Sequence, residues 1–138
     1  MVGVIIMQEY LMMLDEKLVY DKHEIIYDTI HIYCHTINEE KRKVHQYTEK
    51  IVKDLPFGQY KTKLHLKLKR YKNTDSVKKT ITEELSFLNS TKRITLRLEN
   101  RIYELLRENN FIGTERVLNN GIVDISDSTL LRLFKKNS

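Results

Sequence analysis

The chain has a single cysteine (Cys34), one proline (Pro56), four glycines and no tryptophan in 138 residues. A lone thiol cannot close an internal disulfide, so a small cross-linked fold is excluded. Scarce proline and glycine remove the usual breakers of regular structure and point to long helices with few sharp turns. The glycines, at 3, 58, 113 and 121, are scattered, so no glycine-rich loop is present to cradle a phosphate. Long apolar runs are missing too. The amino-terminal "MVGVIIMQEYLMML" is interrupted by Gln8 and Glu9 and closed by Asp15 and Glu16, well short of the roughly 20 apolar residues a bilayer-spanning helix needs. It lacks a basic leader and a small-residue cleavage site, which makes a cytoplasmic protein without membrane contact the expectation.

What is present fits one domain, or one domain plus a helical extension, with a true core: 41% hydrophobic and 31% charged residues, far from the disordered regime. The net charge of +5 is unevenly spread. Residues 1–59 carry 7 Lys plus Arg against 10 Asp plus Glu, or −3, and residues 60–138 carry 17 against 9, or +8. A basic half joined to an acidic half points to a polyanion-facing surface beside a separate one.

Spacing predicts a mainly α fold, a small helical bundle. Residues 4–19 form a first helix whose wide apolar stripe includes adaptable methionines. A single long helix over about 22–54 follows, with Ile26, Ile30, Tyr33, Ile37, Val44, Tyr47 and Ile51 recurring at three- and four-residue steps. Such a seam pairs with another helix, so residues 1–55 read as an oligomerisation region and the partner as a second copy in a homodimer. "LPFGQY" at 55–60 marks a boundary before a basic helical domain at 60–138. Within that domain, "TDSVKKTITEELSFLN" reads as a helix. Residues 62–69 and 92–98 alternate like strands, yet leucine favours helix, so β structure is expected to be minor.

"NNFIGTERVLNNGIVDISDSTLLRLFKK" supplies two short helices around Gly121, the second capped by Ser126. With the helix before it, residues 101–136 resemble a helix-turn-helix, whose second helix carries polar and basic side chains into a groove. A plain bundle terminus gives the same pattern, and "GIVDIS" is long for the tight turn. The nucleic-acid-binding set drawn from this reading is Lys63, Lys67, Lys69, Arg70, Lys72, Lys92, Arg93 and Arg97 on phosphates, with Ser128, Thr129, Arg132, Lys135 and Lys136 on the reading helix. Tyr60 and Tyr71 are interleaved with the lysines, available for stacking; the bland alternative is a solvated lysine face.

Other chemistry is thin. His31, Cys34 and His35 would be neighbours on a helix, but a fourth ligand is missing, so no metal and no cofactor are expected. The pairs Glu39–Glu40 and Glu83–Glu84 diverge on a helix and make poor acid–base dyads. The expectation is therefore a non-enzymatic, nucleic-acid-binding regulator or replication accessory factor of a bacterium, phage or virus, with DNA favoured over RNA. The competing reading is a helical protein-interaction module, an adaptor or inhibitor with no nucleic-acid ligand.

Overall fold

Leu64, Leu66 and Leu68 alternate with His65, Lys67 and Lys69, and a strand is the conformation that puts the first set on one face and the second on the other. In a computed structural model, which describes residues 2–37, 44–72, 80–89 and 93–137, that stretch is the middle of a sheet. The elements are α1 (Val2–Met12), β1 (Leu18–Ile26), β2 (Thr29–Thr36), β3 (Val44–Phe57), β4 (Tyr60–Lys72), β5 (Thr80–Thr82), α2 (Leu96–Glu108), α3 (Phe111–Asn119) and α4 (Asp127–Asn137). The fold is therefore a mixed sheet with short helices, not a mainly α bundle.

The sheet order is β1-β2-β4-β3. β1 and β2 form a hairpin, β3 and β4 form another, and β4 lies between its own partner and β2, to which it runs parallel. β3 occupies one edge of β4 along its whole length. On the other edge β2 pairs with Lys61–Lys67 and β5 takes over at Arg70–Lys72. The long helix expected over about 22–54 is thus two hairpin strands and part of a third. Its seam divides between faces: Ile30 enters the core, whereas Tyr33, Tyr47 and Ile51 lie on the opposite side. With the seam gone, the homodimer inferred from it has no helix to rest on. Residues 38–43, in the middle of that helix, lie outside the described residues.

Three further expectations change. Residues 62–69 are not minor β but a central strand. The helix read into 74–89 falls partly outside the described residues; within them Thr80–Thr82 is a strand and the following segment is not helical. At 92–98, Ile94 and Thr95 make isolated bridges and α2 then begins, capped by Thr95, whose hydroxyl accepts from the Leu98 amide. Among the described residues no helix is long and apolar enough to cross a membrane.

Two cores result. Met7 and Leu11 of α1 cover Leu18, Ile30, Ile32, Leu64 and Leu66 on one sheet face, joined by Phe87. Burying such side chains stabilises by about 1.5–3 kcal/mol each. Gln8 ties α1 to the edge strand: its Nε2 donates to the Leu18 carbonyl (2.8 Å) and its Oε1 accepts from the Tyr20 amide (2.7 Å). The second core packs Leu98, Ile102 and Leu105 of α2 against Leu118 of α3 and Leu130 and Leu133 of α4. Asn110 caps α3, and Thr114 is buried with its hydroxyl donating to the Leu105 carbonyl. Gly121 takes φ +95°, the left-handed turn expected of it.

The cores are joined at Asp54, whose side chain is wholly buried. It accepts from the Tyr10 hydroxyl of α1, from Thr95 Oγ1 (2.6 Å) and from Arg97 Nε (2.9 Å) and Nη2. The 93–95 segment also pairs with the outer edge of β3: the Lys53 amide donates to the Arg93 carbonyl and the Thr95 amide to the Lys53 carbonyl. That pairing protects an edge that would otherwise expose unpaired backbone groups.

Candidate functional site

The odd-numbered residues of β2 and β4 make the sheet's second face. Among the described residues no helix lies over its middle: Lys22, Tyr47, Glu49, Ile51 and Lys67 are all exposed there. Register sets the neighbours. Tyr33 stands beside His65 and His35 beside Lys67 across β2–β4, and Glu49 stands beside Lys67 across β3–β4.

The rings of this face are ordered by one another. His65 stacks on Tyr33, with centroids 4.3 Å apart and planes at 22°. Lys22 lies 4.7 Å from the Tyr33 centroid, and Lys67 lies 4.6 Å from that of Tyr47, both cation–π contacts. A shallow depression of about 460 Å³ opens between Tyr33 and Tyr47, with His65, Glu49, Lys22 and Lys67 around it. A second, of about 580 Å³, shares Asp21, Tyr47 and Lys67 with the first and continues past His35 to Lys69. Together they form a trough along the strands.

The carboxylates of the trough are already engaged. Asp21 contacts His35 Nδ1 at 2.9 Å, and Glu49 accepts from His65 Nδ1 at 2.7 Å. Nδ1 of His65 is thus the donor to Glu49, and its Nε2 lies 2.9 Å from Nδ1 of His31. Burial, then the charges of His65 and Lys63, hold the His31 pKa below its ordinary 6.5. This Glu49–His65–His31 chain was not legible in the sequence, because its members lie 16 and 34 residues apart. The alternation of His31, Tyr33 and His35 on β2 was the available clue.

The sequence-selected residues disperse. Lys67 is in the trough, and Lys63 lies on the same face toward the helices. Lys69 is buried at the point where β2 ends: its ammonium donates to the Thr36 carbonyl (2.8 Å) and hydroxyl (3.0 Å), and Glu83 accepts from Thr36 Oγ1 and the Lys69 amide. Arg97 is committed to Asp54 and lies 4.7 Å from the centroid of Tyr10. Arg70 is half-buried, Lys72 and Arg93 are exposed, and Lys92 lies outside the described residues. On α4, Ser128, Arg132 and Lys135 are exposed, Thr129 is half-buried beside the Ser126 cap, and the Lys136 side chain is outside the description. The link from α3 to α4 spans 120–126, longer than a tight turn.

The ligand trio His31, Cys34 and His35 is separated by strand geometry. The two histidines face the trough and Cys34 faces the core, where burial pushes its thiol up to about 12. Comparison with known proteins returns no relative: no protein-family model, no curated protein and no solved structure is significantly similar to this chain.

Proposed function

We propose that the protein binds single-stranded nucleic acid on the open sheet face, with bases stacking on Tyr33 and Tyr47 and the backbone following Lys22 and Lys67. The observation that carries this reading is the pair of cation-flanked tyrosine rings in one uncovered trough. Every base has a π-face, so aromatic platforms beside cations bind single strands with little regard to sequence, each stacked base contributing about 1–3 kcal/mol. Open sheets carrying stacked rings are a recurrent way to hold splayed-out bases. The satisfied carboxylates support it, since Asp21 and Glu49 are held by histidines instead of facing the ligand.

This reading keeps the polyanion partner inferred from charge but moves the contact from α4 to the sheet. The test is fluorescence anisotropy with a labelled single strand, as DNA and as RNA, and a labelled duplex, at low and physiological salt. The single strand is expected to bind more tightly than the duplex, with affinity falling as salt rises by a slope of about 0.7 per phosphate contacted. Flat traces, or duplex preference unchanged by Tyr33→Ala and Tyr47→Ala, would refute it.

A further inference from the structure

A second hollow lies away from the trough, where β3 and β4 meet the helices. It encloses about 470 Å³, within the roughly 300–1,000 Å³ range of small-molecule sites. Leu98 and Ile102 of α2 and Val123 form its apolar floor, and Ile51 and Ile125 line the approach. The floor residues belong to the helical core, and the hollow is the space left where that core meets the sheet.

Its rim is cationic. Lys53 and Lys63 stand directly opposite each other in the β3–β4 register, and Arg93 adds a third cation. Like charges placed opposite on a sheet repel. The carboxylate at the rim, Asp124, is taken by Lys61 at 2.7 Å, while its backbone carbonyl accepts from Lys53. Among the described residues, Lys63 and Arg93 have no carboxylate within ion-pair distance. Burial and the neighbouring Lys63 lower the pKa of Lys53, the mark of positive charge crowded beside apolar surface.

We infer that this hollow binds a small amphipathic anion, a carboxylate or phosphate on an aliphatic or aromatic body, with its head between Lys63 and Arg93 and its body over Leu98 and Ile102. Such a ligand satisfies both halves of the site: the anion relieves the repulsion between the opposed lysines, and the body fills the hollow above the buried floor and covers the exposed Ile51 and half-buried Ile125 at its mouth. A neutral lipid leaves the cations crowded, and inorganic phosphate leaves the apolar floor bare. The inference is independent of nucleic-acid binding, because Tyr33 and Tyr47 take no part in it.

The experiment titrates the full chain with 1-anilinonaphthalene-8-sulfonate, followed by fluorescence, and then displaces it with decanoate, decyl phosphate or decanol. Saturation at one site is expected, with displacement by the two anions at far lower concentration than by decanol. The better displacer of the two names the head group. Arg93→Glu should weaken the probe about tenfold, as expected for reversing a charge-assisted contact, and Ile125→Trp should block it by filling the mouth. Ile125→Trp should leave single-strand binding to the trough unchanged. Should Arg93→Glu fail to fold, a salt series on the unmodified chain serves instead, with rising salt expected to weaken decanoate and not decanol. Decanol matching decanoate, or probe fluorescence undiminished in both variants, would overturn the inference.

Discussion

His65 lies against Tyr33 with ring centroids 4.3 Å apart, held there by Glu49 on one nitrogen and His31 on the other. A ring fixed on both sides loses little freedom when a base arrives, and such preorganisation favours binding. Tyr33→Ala and Tyr47→Ala should each weaken single-strand affinity by about 1–3 kcal/mol, or roughly five- to 150-fold. Anisotropy titrations of folded variants measure this directly, and an unchanged Kd in both would remove the platform.

Lys67 and Lys69 are two residues apart on one strand face, yet their roles separate. Lys67 is exposed over Tyr47, so Lys67→Glu should leave the melting temperature nearly unchanged and weaken binding. Lys69→Glu should do the reverse, placing a carboxylate against the Thr36 carbonyl and Glu83 in a buried junction. Its cost is about 3–5 kcal/mol. Denaturant melts of the two variants, read beside their affinities, check the division.

Asp54 is the joint between α1, the sheet and α2. Asp54→Ala strands the half-buried Arg97 cation and leaves the Tyr10 and Thr95 hydroxyls without their acceptor. A destabilisation of about 3–5 kcal/mol is expected. Urea unfolding followed by circular dichroism reports it, and a loss below about 1 kcal/mol would contradict the joint.

Tyr27 and Asp28 form the two-residue turn between β1 and β2, with Ile26 opposite Thr29. Tyr27 holds φ +56° and is 94% exposed. The left-handed region costs an L residue roughly 1–2 kcal/mol, and asparagine tolerates it better. Tyr27→Asn should therefore stabilise by about 0.5–1 kcal/mol, raising Tm by a few degrees. A lowered Tm would show that Tyr27 makes contacts worth more than the turn strain.

Alkaline pH should unfold the chain. Burial raises the Cys34 thiol from 9.0 to about 12. Burial and then the Asp54 charge also raise the Tyr10 phenol above its ordinary 10.0. Both groups keep their protons in the folded state while the unfolded chain releases them. Stability is thus full below about pH 9 and declines as pH rises beyond it. Tm measured between pH 8 and 11 should fall, and Cys34→Ala should flatten the first part of that fall. A pH-independent Tm would contradict the burial of both groups.

The carboxy-terminal third was legible in the sequence because its apolar residues from Leu98 onward follow a helical period. Leu98, Ile102 and Leu105 share a face, Gly121 turns and Ser126 caps. The amino-terminal half misled for a physical reason. Ile26 and Ile30 are four apart, the spacing of a helix face, but a turn at Tyr27–Asp28 divides them between β1 and β2, where Ile26 pairs with Thr29 and Ile30 with Ile25. The three-residue step to Tyr33 then extended the helix on paper, whereas in the sheet it moves Tyr33 to the opposite face. The density of Val, Ile, Tyr and Thr between 19 and 36 was the better local guide, because such side chains suit a pleated surface. The trough itself needed the topology: only β4 returning between β2 and β3 brings His31, Glu49 and His65 together.

The most direct test of the single-strand reading is a two-dimensional amide NMR titration of the labelled chain with a short oligonucleotide. The shifts are expected to cluster on 31–35, 47–49 and 65–67, leaving 127–135 of α4 unmoved. Shifts confined to α4, or none at saturating oligonucleotide, would contradict it.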